Sequence, residues 1–166
     1  MNTGNNDTTD KTTEKKMDAK PSALKTSYYG NKGLTNDDHL LVCISLGKPK
    51  FPTSYEIEDE VFILKPKRDM LDLPYGMYVA AYRRQLDGHG IEKIKKVLGS
   101  MHKKKARGRP IVLLCFEDIR KENQWCHRRI FAEWWEEQTS RPVEELEPAN
   151  PPSGQKKKDT RQLALI

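Results

Sequence analysis

The chain is poor in cysteine: 166 residues hold three, an odd number with no Cys-x-x-Cys pair. That argues against a disulfide-stapled scaffold and against a zinc knuckle. Long apolar runs are also missing. No stretch approaches the roughly 18 apolar residues that a membrane-spanning helix requires, so no membrane association is expected. The N-terminus is rich in Asn, Thr, Asp and Lys and lacks the apolar segment of a secretory signal, which predicts a cytoplasmic protein. Hydrophobic residues make up only 36% of the chain and charged ones 33%. Such averages predict one folded core diluted by polar ends.

The charge that is present is unevenly placed. Residues 1–22 carry four Lys and four Asp/Glu, have no periodicity, and read as a disordered leader. Residues 93–109 hold eight basic side chains and no acid, in a chain of net charge +6. Lys95, Lys96, Lys103, Lys104, Lys105, Arg107 and Arg109 thus form a basic strip of the kind that meets nucleic acid through phosphate. The plainer alternative is the solvated face of an amphipathic helix, because Ile91, Ile94, Leu98 and Met101 recur at helical spacing.

Apolar patterning predicts an α/β fold: a small three-layer, Rossmann-like domain over residues 23–147 with a mostly parallel sheet. The runs 23–29, 39–46, 61–64 and 111–116 read as strands, the second and last nearly continuously apolar. Tyr75, Tyr78, Tyr82 and Leu86 share one face of a helix that Gly88 and Gly90 end. Further helices are expected over 91–106 and 125–138, the latter with Ile130, Phe131, Trp134 and Trp135 inward. Residues 148–161 have the composition of a flexible basic linker.

In parallel sheets ligands gather beyond the carboxyl ends of the strands. There the chain places Trp125-Cys126-His127-Arg128-Arg129, at the start of its last helix. Basic side chains oppose the helix dipole unless an anion rests against them, so Arg128 and Arg129 predict a phosphate or nucleotide-like ligand. At the same turn Cys126 is a candidate nucleophile, with His127 and Glu117 as proton carriers. Cys126 and His127 are alternatively core residues, since they share faces with Ile130 and with Phe131. The spacings of Cys115, Cys126, His127 and His102 match no compact ligand pattern, so neither a metal nor another cofactor is expected, and Cys43 and Cys115, inside apolar strands, read as core.

Thr26-Ser27-Tyr28-Tyr29-Gly30-Asn31, Leu113-Leu114-Cys115-Phe116-Glu117 and Cys126-His127-Arg128, in that order, resemble domain-of-unknown-function family 488. The likeness covers most of 23–147. It implies a Rossmann-like domain whose pocket gathers Thr26, Ser27, Tyr28, Glu117, Cys126, His127 and Arg128, with no reaction attached. Lys65-Pro66-Lys67-Arg68 is more basic than that pattern.

The chain ends in Gln162-Leu163-Ala164-Leu165-Ile166, which resembles the peptide by which bacterial repair proteins dock on the DNA sliding clamp. Gln162 would bond a pocket rim while Leu163, Leu165 and Ile166 fill an apolar groove. Together these readings predict a DNA-metabolism accessory protein tethered to the clamp. The alternatives are a small-molecule enzyme with Cys126 as nucleophile, or an interaction module using Tyr75, Tyr78, Tyr82, Trp134 and Trp135.

Overall fold

A computed structural model describes residues 23–148. Five strands, β1 (Leu24–Tyr28), β2 (Leu40–Cys43), β3 (Asp59–Glu60), β4 (Ile111–Cys115) and β5 (Glu144–Glu145), form one sheet in the order β3-β2-β4-β1-β5. Every pairing is parallel. Three helices accompany it: α1 (Tyr75–His89), α2 (Ile91–Met101) and α3 (His127–Thr139). The α/β class and the parallel sheet read from the sequence are present. Among the described residues, no helix is long and apolar enough to cross a membrane.

The continuous apolar runs are explained by β4, which lies between β2 and β1 and is buried on both faces. Leu40, Val42, Ile111 and Leu113 point to one side, where they pack with Tyr78, Tyr82, Leu86, Ile94, Leu98 and Phe131 from the three helices. Leu41, Cys43, Val112 and Leu114 point to the other and meet Tyr29, Leu34 and Tyr55. The alternation is the period of two that a pleated strand imposes. All three helices cover one face, and the third layer is built from loop residues of 29–34 and 55–57. Tyr55 Oη donates to the Tyr29 carbonyl at 2.8 Å and Tyr29 Oη bonds Ser45 Oγ at 2.7 Å, so these loops satisfy their buried polar groups.

Several expected boundaries move. Val61–Leu64 is not a strand. Pairing stops at Glu60, and Phe62–Leu64 is a 3₁₀ turn that buries Val61 and Leu64 while Phe62 stands in solvent. An i, i+3 repeat in so short a run is indistinguishable from strand by apolar content alone. The helix expected over 91–106 is α-helical to Met101, and His102–Ala106 is a π turn closed by Arg107 in the left-handed region. Gly90, at φ 77°, makes the corner between α1 and α2. The last helix begins at His127 rather than 125, because Cys126 is extended at its N-cap. Finally, β5 carries no apolar signature and was not anticipated; it pairs Glu144 and Glu145 with Lys25 and Thr26.

Candidate functional site

Beyond the carboxyl ends of β2 and β4 the chain leaves β4 through Cys115, Phe116 and Glu117, and returns at Cys126 to begin α3. Both connections end at the same place. His127 Nε2 lies 2.9 Å from the carbonyl oxygen of Ile44, just past β2. A carbonyl only accepts, so Nε2 carries the hydrogen, and Nδ1 of the neutral ring keeps a lone pair. That nitrogen faces two sulfurs, Cys115 Sγ at 3.6 Å and Cys126 Sγ at 3.8 Å. The ring is also held edge-on by Tyr82, with centroids 5.3 Å apart. Cys115 Sγ donates to Glu117 Oε2 at 3.3 Å.

These contacts fix how protons are shared. Burial alone would raise the Cys126 thiol, but its contacts with Cys115 and His127 and the nearby charge of Arg128 bring it well below its usual range. Its hydrogen bond with Cys126, then burial, push Cys115 the other way. Burial, and after it the charge on Cys126, raises the Glu117 carboxyl. The cluster thus sets a thiol shifted down beside a thiol and a carboxyl shifted up, which suits nucleophilic chemistry or soft-metal ligation.

The cluster lines a crevice of about 430 Å³. Its walls include Leu46, Leu71, Tyr78, Phe116 and Trp125, and polar groups of Ser45, Asn123 and Gln124 also face it. Trp125 packs on Tyr78 at 4.7 Å and on Tyr75 at 5.1 Å between centroids. Among the described residues, no lysine or arginine lines this crevice. A second cavity, about 550 Å³, lies between α2 and α3 at the opposite edge of the sheet, and His102 is in its wall, away from the thiols.

The expected anion site is corrected. Arg128 is fully buried, and its Nε and Nη2 donate to Glu145 at 3.2 and 2.8 Å. Arg129 Nη1 donates to Thr26 Oγ1 at 3.0 Å and to the Val143 carbonyl at 2.9 Å, while Thr26 itself donates to Glu145. Ser27 Oγ donates to the Leu146 carbonyl at 2.8 Å. Tyr28 Oη accepts from Arg120 on the β4–α3 loop at 2.9 Å. The negative group that the two arginines demand is Glu145, supplied by the chain itself. Thr26, Ser27, Arg128 and Arg129 therefore tie β5 and α3 to β1, and they do not line the crevice.

The basic strip divides as well. Arg109 is structural: it pairs with Glu58 at 3.0 Å and donates to the carbonyls of Asn36, His39 and Ala106. Lys105 pairs with Asp59 and Lys95 with Glu92. Lys96, Lys103, Lys104 and Arg107 are exposed and make no ion pair among the described residues. The aromatic stripes are mostly core, with Tyr78, Tyr82 and Trp134 buried and Tyr75 exposed beside Trp125. Gln162, Leu163, Leu165 and Ile166 lie outside the described residues.

Sequence reasoning found Cys126, His127 and Glu117 but assigned Cys115 to the core and rejected a joint Cys/His cluster on spacing. It also missed Glu145 and the Ile44 carbonyl. The acidic pair Glu144-Glu145, sitting behind Pro142 in a chain with an Arg-Arg pair, was the available signal for the former. A backbone carbonyl leaves none. No family model, curated protein or solved structure matches the chain.

Proposed function

We propose that this protein is an enzyme acting on a small, ring-bearing molecule, uncharged or cationic, held in the crevice beyond β2 and β4. Cys115, Glu117, Cys126 and His127 are its chemical centre. The observation that carries this reading is their convergence, from the end of one strand and the start of one helix, on the floor of an open crevice with aromatic walls. Ligand sites of parallel sheets lie at this edge, and pockets of this kind combine apolar walls with a few converging polar groups. The absence of cations from the lining favours a ring without phosphate over a nucleotide. The likeness to family 488 supports the same pocket at Glu117, Cys126 and His127, and parts from it at Thr26, Ser27 and Arg128.

The test uses free nucleobases and nucleosides against their 5′-monophosphates, read by quenching of tryptophan fluorescence. Neutral rings should bind the wild-type chain and lose most of that binding in Trp125→Ala. Binding confined to the monophosphates, or unchanged in Trp125→Ala, would overturn this assignment.

A second reading concerns nucleic acid. It is supported by Lys96, Lys103, Lys104 and Arg107, which stand clear of carboxylates. The turn carrying the last three leads into β4 at the edge opposite the crevice. Binding of a DNA duplex should weaken steeply with salt and fall when these four are replaced by Ala. Salt-insensitive or unaltered binding removes it.

A further inference from the structure

We propose that Cys115 Sγ, Cys126 Sγ and His127 Nδ1 are three ligands of a mononuclear zinc site whose fourth position opens to the crevice. The proposal rests on the crevice reading above and supplies the group that its centre would use.

The geometry is the first argument. Zinc binds sulfur at about 2.3 Å and imidazole nitrogen at about 2.0–2.1 Å, in a tetrahedron. The edges of such a tetrahedron are roughly 3.6 Å between sulfur and nitrogen and roughly 3.8 Å between sulfurs. Here the nitrogen stands 3.6 and 3.8 Å from the two sulfurs, and all three atoms lie within 4.8 Å of one another. Both sulfur–nitrogen edges thus already have the required length, and the sulfur–sulfur edge need close by no more than about 1 Å.

The second argument is the support behind the imidazole. A metal-ligating histidine characteristically donates its other ring N–H to a carbonyl or carboxylate, which fixes the tautomer and aims the lone pair. The Ile44 carbonyl does this for His127 at 2.9 Å. The ring is further wedged by Tyr82, which is itself anchored through Oη on the Leu64 carbonyl at 2.6 Å. Two thiols and an imidazole nitrogen, with no second metal-sized cluster beside them among the described residues, are a borderline-soft set that suits zinc.

The third argument is placement. All three ligands border the crevice, and three protein ligands with one open place mark catalytic zinc sites, whereas structural sites close the shell with four. Glu117, bonded to Cys115 Sγ at 3.3 Å, flanks that open place and is positioned to take or return a proton there. The ligands escaped the sequence because they come from a strand end and a helix N-cap, not from a single knuckle.

The full-length chain, stripped with a chelator, is titrated with cobalt(II), a spectroscopic stand-in for zinc. One equivalent should bind and produce a sulfur-to-cobalt charge-transfer band with intense tetrahedral visible bands, both abolished by excess zinc. Cys126→Ser and His127→Gln should lose this spectrum. No bound cobalt, or an unchanged spectrum in Cys126→Ser, overturns the site. Should either variant fail to fold, the wild type still decides: zinc must slow alkylation of Cys115 and Cys126 relative to Cys43, read by mass spectrometry. Equal labelling with and without zinc, or a Cys115–Cys126 disulfide in place of bound metal, refutes the proposal. Neutral-ring binding without metal would sink the zinc site alone. Metal binding without ring binding would sink the substrate reading alone.

Discussion

Cys126-His127 and Arg128-Arg129 are consecutive in the chain and end in opposite situations. The first pair faces the crevice beyond β2 and β4, where its sulfur and nitrogen atoms meet Cys115 and nothing among the described residues fills the remaining space. The second pair turns toward β1 and β5, where Glu145, Thr26 and the Val143 carbonyl take most of its donors and Arg128 Nη1 stays buried without a hydrogen-bond partner among the described residues. The opening turn of α3 thus stands between the crevice and the β1–β5 side of the sheet. The difference teaches that a charged residue at a helix start is no ligand site in itself: what decides is whether the chain brings its own counter-ion.

The comparison breaks most readily at Arg128. Arg128→Ala takes from the Glu145 carboxylate, whose side chain is only 11% exposed, its main counter-ion, leaving Thr26 and the more distant Arg129, and should cost about 3 kcal/mol in urea unfolding. Replacing both partners together, Arg128→Met with Glu145→Leu, should recover most of that loss. An Arg128→Ala chain as stable as wild type would erase the distinction between the two halves. On the crevice side the expectation is inverted. Trp125→Ala should weaken neutral-ring binding by at least about tenfold, about 1.4 kcal/mol. The stability it loses should be about 0.5–1.5 kcal/mol, from the ring contacts with Tyr75 and Tyr78.

A smaller effect concerns the loop that frames the crevice. Asp118 has its pKa lowered chiefly by its hydrogen bonds from Arg120, and it is nearly buried. A lowered folded value means that its contribution is complete above the unfolded value of about 3.9 and is lost as pH falls through the folded one. Asp118→Asn should therefore be less stable than wild type by roughly 1 kcal/mol at neutral pH. The difference should vanish in strong acid, followed by tryptophan fluorescence. A gap that persists there would mean the carboxylate is not what holds the loop. Smallest of all, Lys103→Ala and Lys104→Ala should each leave stability within about 0.5 kcal/mol, since both side chains are exposed and unpaired with acid.

Legibility followed burial. β4 was plain because a strand between two neighbours must be apolar on both faces, and Ile111–Cys115 is. β5 was invisible because an edge strand of two residues satisfies its backbone against β1 with no apolar demand on Glu144 or Glu145. The same contrast runs through the site. Cys126, His127 and Glu117 were legible from residue type and from their place after a buried strand. Cys115 was read as core because it closes an apolar run, and its thiol does sit at 3% exposure, yet it borders the crevice.

By itself the sequence determined the parallel α/β architecture and a last helix beginning within two residues of its expected start, beyond the carboxyl end of β4. These follow from apolar periodicity and from the direction of parallel strands, both local or nearly so. Only the tertiary structure decided which side of α3 is sealed and which is open. That choice depends on Glu145, some seventeen positions after Arg128, arriving on a strand with no sequence signature, and on the Ile44 carbonyl orienting His127 from more than eighty residues away. Long-range partners of this kind set the charge balance and the lone-pair direction at the site, and no local pattern encodes them.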